Sequence, residues 1–421
     1  MTASNNEKIG MNFFYNSQIP IDWEVKRIDN FGIVYTGNTP PTNDSNNYGN
    51  EFMFVSPTDL GAGKYIQNTV KRLSKKGFDI SRKLPKGAVL FTCIGSTIGK
   101  SGIAIENLTS NQQINAIVVN EKNSNEFVYY QLERNADKIK LLAGEQAVPI
   151  LNKNQFESVK LLSAPLPEQK AIAQLLSTWD NAITKTKALI AKKEERKKWL
   201  MQNLLTGKKR LKGFERKWKE VRLKDLFERV TRKNNVGNTN VVTISAQRGF
   251  VSQTDFFTKS IASELLDNYF LVDKGEFCYN KSYSNGYPWG ATKRLKSFDK
   301  AVVTTLYICF GIKDKNRTSG DFFEQFFEAN LLDKGLVKIA HEGGRAHGLL
   351  NVTPGDFFEL KITIPNYQEQ TAIAEVLENA DNEIQLLKNK MEKLKEQKKG
   401  LMQVLLTGKK RLKIKDTYLN K

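Results

Sequence analysis

The chain has 421 residues, enough for two or three domains that each bury a core. Its 65 lysines and arginines against 45 acidic residues give a formal charge of +20, which suits a polyanionic partner, either nucleic acid or a membrane surface. No apolar run reaches the roughly 18 residues needed to span a bilayer, and the opening MTASNNEKIGMNFF lacks a signal-peptide pattern, so nucleic acid ranks ahead of membrane and a cytoplasmic location is expected.

In chain order, the first globular region opens on Trp23 in IDWEVKRI. A strand-like run with a polar loop follows at residues 54–60 (FVSPTDL), then a lysine-glycine turn into a strand at 86–91 (KGAVLF) and a third apolar strand at 114–119 (INAIVV), with Gly, Asn and Ser between them. The segment Ile94–Ser101 looks like a phosphate-binding loop, but Ile94 stands where such a loop needs its first glycine. A glycine-rich turn presenting Ser96, Thr97 and Lys100 to a DNA backbone fits better. Near the end of the region comes AGEQAVPILN at 143–152, which carries Gln146.

Glu168 to Lys212 then reads EQKAIAQLLSTWDNAI…LMQNLLTGKKRLK, and it returns about 201 residues later, from Glu369 to Lys413, with roughly 26 of 45 positions identical. Each copy carries two interleaved heptad rows, the pattern of a coiled-coil seam. The first copy places Leu176, Ile183, Ile190, Lys197 and Leu204 on one row, and Ile172, Trp179, Thr186, Lys193 and Leu200 on the other. The second places Leu377, Ile384, Met391, Lys398 and Leu405 beside Ile373, Ala380, Leu387, Leu394 and Leu401. Each helix should run about 38 residues, roughly 57 Å, and end at Thr206-Gly207 or Thr407-Gly408. Both the end of the first helix and the start of the second are tethered to the second globular region. Short tethers favour an antiparallel pair with a globular domain at each end.

The second region repeats the first more weakly: Trp218 in RKWKEVRL, TISAQRGF at 243–250 with Arg248, KGEFCY at 274–279 and TLYICF at 305–310. Its segment Asn280–Arg294 interleaves Lys281, Lys293 and Arg294 with Tyr283, Tyr287 and Trp289, cations for phosphates and planar groups for base edges or sugars. A loop folded back to complete the core is the alternative. EGGRAHGLLN at 342–351 carries Arg345; Arg and Gln side chains read guanine and adenine edges bidentately, which makes Arg345 and its counterpart Gln146 candidate base contacts. Its flanking His341 and His347 match no common zinc spacing. Between Lys185 and Lys219, 14 basic residues face three acidic ones, a solvated helix face or a surface for DNA. Cys93, Cys278 and Cys309 sit in apolar runs and read as reduced core residues. No catalytic constellation is legible, so the chain is expected to bind rather than catalyse, with no cofactor or metal of its own.

The order of globular region, LPEQKAIAQLL…LLTGKKRL, second globular region and QEQTAIAEVL…LLTGKKRL resembles the specificity subunit of type I restriction–modification enzymes, from about Trp23 to Lys413. The resemblance implies an α+β fold: two similar mixed α/β target recognition domains separated by an antiparallel coiled coil of two long conserved helices, a pseudo-two-fold internal repeat. The expected segments are a first recognition domain at 1–165, a helix at 166–213, a second domain at 214–365, a helix at 366–413 and a tail at 414–421. It further implies that each domain reads half of a gapped, bipartite site in double-stranded DNA. The helices, including Ile172, Leu176, Trp179, Ile183, Leu200, Leu204, Ile373, Leu377, Ile384, Leu387, Leu401 and Leu405, would pair and dock two DNA methyltransferase subunits. S-adenosylmethionine, ATP and Mg²⁺ would belong to those subunits and to restriction/translocase subunits. Helix length would set the gap, so one helical turn inserted in Lys185–Lys198 should lengthen it. The alternatives are a solitary specificity subunit of a methylation-only or phage-defence complex, a nucleotide-binding enzyme using Gly95–Ser101, and a coiled-coil scaffold with no DNA role.

Overall fold

The computed structural model describes residues 11–14, 17–144, 147–252, 266–340 and 350–412. The chain forms two compact units, one combining Met1–Leu189 with Lys388–Lys421, the other spanning Ile190–Leu387. The division crosses both long helices. Each globular region therefore packs with the opening half of one helix and the closing half of the other.

Both units share one framework. In the first, the strands run Gly32–Thr36, Ile114–Val119, Val89–Thr92, Ser101–Ala104 across an antiparallel sheet, with Tyr65–Ile66 added in parallel at the edge. In the second, Phe227–Arg229, Ile308–Ile312, Phe277–Asn280, Ala291–Arg294 follow the same order, all antiparallel. The Lys-Gly pairs at 86 and 274 form the expected turns, and the strands they lead into begin at Val89 and Phe277. The third apolar strand of the second unit starts later than expected, at Ile308. Continuous apolar runs such as Val89–Thr92 are buried on both faces, as expected of a strand covered on each side. TISAQRGF forms a hairpin, Val242–Ser245 against Gly249–Ser252, with Arg248 in its turn. In each unit the strand after the tryptophan, Glu24–Arg27 or Lys219–Arg222, pairs with the strand that leads into a long helix, Lys160–Ser163 or Lys361–Ile364.

The cores differ in composition. The first is aliphatic and aromatic, built around Trp23, Phe31, Phe91, Phe127 and Phe156, and it includes Ile172 and Leu176 of the first long helix with Met402 and Leu405 of the second. The second is a phenylalanine cluster: Phe277 stacks on Phe310 at 5.5 Å, and Phe227 meets Phe323 edge-on at 4.9 Å. Ring pairs of this geometry add about 0.5–1.5 kcal/mol each beyond their burial.

The long helices span Leu166–Leu204 and Tyr367–Leu405, 39 residues each. No residue of the four predicted heptad rows is exposed. Pairing is antiparallel within each unit. In the first, Lys398 reaches Asp180 at 2.8 Å and Arg411 reaches Glu168. In the second, Lys197 reaches Asp381 at 2.6 Å and Arg210 reaches Glu369. The helices stop at Leu204 and Leu405. Gly207 and Gly408, with φ of +69° and +70°, then turn the chain in the left-handed region that glycine accepts readily. A Cβ at Gly408 would also lie 2.4 Å from the Pro20 ring, which leaves no other residue room there.

The repeated Glu-Gln pair has a structural use in both units. Glu168 accepts from Trp23 Nε1 at 3.0 Å and from Arg411; Glu369 accepts from Trp218 Nε1 at 3.2 Å and from Arg210. Gln169 accepts from the Ser124 N–H at 2.8 Å and donates to the Ala164 carbonyl, while Gln370 accepts from the Ser319 N–H at 2.9 Å and donates to the Pro365 carbonyl. Ser124 and Ser319 cap the helices Asn125–Leu141 and Gly320–Glu328. The first turn of each long helix thus satisfies buried polar groups of the globular region, groups that would be costly unpaired.

Candidate nucleic-acid interface

In the first unit the segment between Val89–Thr92 and Ser101–Ala104 is a hairpin loop that carries Ser96, Thr97 and Lys100. Thr92 donates to the Lys100 carbonyl at 2.8 Å, and Gly99 donates back to Thr92 at 3.2 Å. A strand returns where a phosphate-binding loop requires a helix N-terminus, so the nucleotide-binding alternative loses its structural basis. Ser96 is exposed and Thr97 half-buried. The stem of Lys100 lies over Gly61.

That loop is tied to two neighbours. Gly95 donates to the Pro149 carbonyl at 2.9 Å, and the Cys93 carbonyl accepts from Leu151 at 2.8 Å, which holds the end of AGEQAVPILN beside the loop. Cys93 also donates to the Gln113 carbonyl at 2.8 Å, and the adjacent Gln112 accepts from the Thr39 hydroxyl at 2.5 Å. Gln112 and Thr39 are exposed. The sequence reading missed both; a run of Asn and Gln at residues 111–113 between two strands was the available signal.

The second unit repeats this layout with different side chains. The equivalent loop, residues 281–290, connects Phe277–Asn280 to Ala291–Arg294, and the Lys281 carbonyl accepts from Leu350 at 3.0 Å as Cys93 does from Leu151. Gln247 donates to the Asn285 carbonyl at 2.9 Å, so the hairpin turn that carries exposed Arg248 is joined to this loop. Tyr283 is 64% exposed and Lys281 half-buried. Gln146 and Arg345 lie outside the described residues.

Three other expected contacts turn inward. Lys293 is buried and paired with Glu328, and its ammonium lies 4.6 Å from the Tyr287 ring centre. The Tyr287 hydroxyl donates to Glu328 at 2.6 Å; burial, then this bond, raises its pKa. Arg294 donates to Asp321 at 2.6 Å and to the Gly275 carbonyl. Lys293 and Tyr287 thus correct their nomination as DNA contacts and follow the alternative of a folded-back loop, held in the fold by their bonds to half-buried Glu328. Arg248, Lys293 and Arg294 all line one polar cavity of about 330 Å³, but only Arg248 among these three is exposed.

Along the helices, Ile172, Leu176, Leu204, Ile373, Leu377, Ile384 and Leu405 are buried, while Trp179, Ile183, Leu200, Leu387 and Leu401 are half-buried. Leu189, Trp199 and Leu386 are instead 42%, 47% and 69% exposed. They fall outside the heptad rows, and a seam-seeking pattern passes over them. No described helix is long and apolar enough to cross a membrane.

This arrangement has relatives. The sequence profile described as "Type I restriction modification DNA specificity domain" matches residues 20–193 and 215–396, once in each half. The chain is 24% identical over 439 residues to the type I restriction enzyme MjaVIII specificity subunit of Methanocaldococcus jannaschii, covering 94% of this chain and 95% of that one. It is 27% identical to a second protein of that organism, described as a putative type I restriction enzyme MjaX specificity subunit, over the same shares of both chains. In fold it is similar to the crystal structure of a type I restriction–modification system S subunit from M. genitalium, with a TM-score of 0.56 and 14% identity over 96% of this chain and 98% of that one. With the family profile matched in both halves over most of its length, the chain belongs to the type I restriction–modification specificity-subunit family, whose work is DNA sequence recognition.

Proposed function

We propose that each unit reads one half of a bipartite, gapped DNA site and that the paired helices dock methyltransferase subunits, which supply the chemistry. The observation that carries this reading is the recurrence of one loop-bearing edge on one framework. In both units the loop between the third and fourth strands of the sheet is tied to a following segment by the same backbone hydrogen bond, Leu151 to Cys93 and Leu350 to Lys281. The framework is common, while the side chains it presents differ: Ser96, Thr97, Lys100 and Gln112 in one unit, Arg248, Lys281 and Tyr283 in the other. Loops on a rigid scaffold can diverge without cost to the fold, which suits two half-sites of different sequence. Gln146 and Arg345 are proposed base contacts.

Exposed Leu189, Trp199 and Leu386 on the helices are apolar groups suited to a protein partner. The ion pairs Lys398–Asp180 and Lys197–Asp381 hold the register of the helices that would set the gap.

Single-molecule methylation sequencing of DNA from cells expressing this chain with its cognate methyltransferase tests the reading. The expected result is a gapped two-part adenine motif that disappears when the chain is omitted. A motif that persists without the chain would remove it as the specificity determinant.

A further inference from the structure

The segment after the first long helix, Lys208–Lys219, carries seven cations and one acid, Glu215. One cation, Arg210, is spent internally. It forms a bidentate pair with buried Glu369, donates to the Arg216 carbonyl at 2.9 Å and stacks over Trp218. Trp218 donates to the same carboxylate, and Gly207 packs against its ring. The segment is thus pinned at both ends to one buried charge, while its other six cations, Lys208, Lys209, Lys212, Arg216, Lys217 and Lys219, are all exposed. None of the six is paired with a carboxylate among the described residues. Lys209 rests over the half-exposed ring of Trp199 at 4.7 Å.

The first unit has the same pin and exposes Lys409 and Lys410 after its helix, but it carries no counterpart of Arg216 and Lys217 before its tryptophan. There Arg411 reaches Glu168 beside Trp23, but the residue before the tryptophan is Asp22, which accepts two further bonds from Arg411. Lys217 holds the equivalent position in the second unit and points no charge inward. One copy of the motif is neutralised at this position, and the other is left as a fixed strip of unbalanced positive charge.

We propose that Lys208–Lys219 is a sequence-independent docking strip for the phosphate backbone of duplex DNA, longer in the second unit than its counterpart in the first. The strip deepens the DNA-reading proposal above and rests on it. Phosphates repeat along each strand regardless of sequence, and a pinned row of lysines and arginines meets them without first paying the full entropy of ordering the backbone. Each cation that displaces a condensed counterion steepens the salt dependence of binding. The strip therefore contributes affinity and orientation, while the loops contribute sequence choice.

The test is binding of the full chain to a labelled duplex of arbitrary sequence between about 50 and 200 mM salt. The probe compares the wild type with Lys212→Ala/Arg216→Ala/Lys217→Ala and, separately, with Lys217→Asp, which installs the first unit's acid. The expected result is a slope of log affinity against log salt that becomes shallower by about 0.9 for each lost phosphate contact, up to about 2.7 for the triple variant. Lys217→Asp should move in the same direction, with unchanged thermal melting showing that the fold is intact. Unchanged slopes in both variants would overturn the proposal. Unchanged slopes together with lost co-purification of the methyltransferase would overturn it in favour of an acidic protein surface. A wild-type chain that binds no duplex would instead bring down the DNA-reading proposal itself.

Discussion

Arg411 and Glu168 stand 243 residues apart in sequence and form a bidentate ion pair, at 2.6 and 2.7 Å, with the Glu168 side chain only 1% exposed. Arg210 and Glu369 form the same pair in the other unit. Because the two repeats exchange partners, each globular region is closed by an arginine from the far end of the other long helix.

Arg411→Ala should therefore loosen the first unit and spare the second. Glu168 would keep only the Trp23 donor. The expected cost is about 2–4 kcal/mol, toward the low end for stranding a buried charge because one donor survives. Hydrogen exchange resolved along the chain would check this: amides of the first unit should lose protection while Phe277–Asn280 keeps its own. Arg210→Ala should give the opposite map.

Asp22 supplies a pH dependence. The Arg411 hydrogen bonds hold its carboxyl below the ordinary value of 3.8, with partial burial opposing them. A carboxylate depressed in the folded state stabilises above its unfolded pKa, and that contribution is lost as pH falls through the folded one. Melting of the wild type should thus fall more steeply below about pH 4 than melting of Asp22→Asn, and the two should run parallel above about pH 5. Parallel acid limbs would show that the bonds from Arg411 do not hold in solution.

Lys293 and Arg248 separate folding from reading. Lys293→Ala leaves Glu328 with only the Tyr287 donor and should cost about 1–3 kcal/mol of the second unit's stability without altering the methylated motif. Arg248→Ala should leave melting within about 0.5 kcal/mol, as expected of an exposed position. It should relax one half-site by about 1–3 kcal/mol of discrimination, roughly 5- to 150-fold. Denaturation and methylome mapping of both variants distinguish the two roles.

The spacer proposal is sharpened by the ion pairs. An insertion in one helix would shift Lys197 and Asp381 out of register, so seven residues must enter both helices together. One heptad adds about 10.5 Å, close to three base pairs of gap. Methylation sequencing should show both half-sites unchanged and the gap about three longer. Altered half-site bases would end the ruler idea.

Much of this molecule is local in sequence. The two helices, their heptad rows and the duplication are written in side-chain period and repetition, which need no knowledge of distant contacts. Strands such as Ile114–Val119 follow from uninterrupted β-branched runs. The loops at Ser96 and Tyr283 stood out because glycine and polar residues cluster between such runs.

Tertiary structure decided where the charges go. Nothing near Lys293 in sequence marks it as the partner of Glu328, 35 residues away, and so it looked like a free cation in a basic loop. The Glu-Gln repeat identified the family, but its purpose becomes visible only when Trp23, Ser124 and Arg411 converge on it. Pattern and propensity act over a few residues. Satisfying a buried carboxylate or amide depends on which donors the fold brings within 3 Å, and here those donors come from residues as much as 243 positions away.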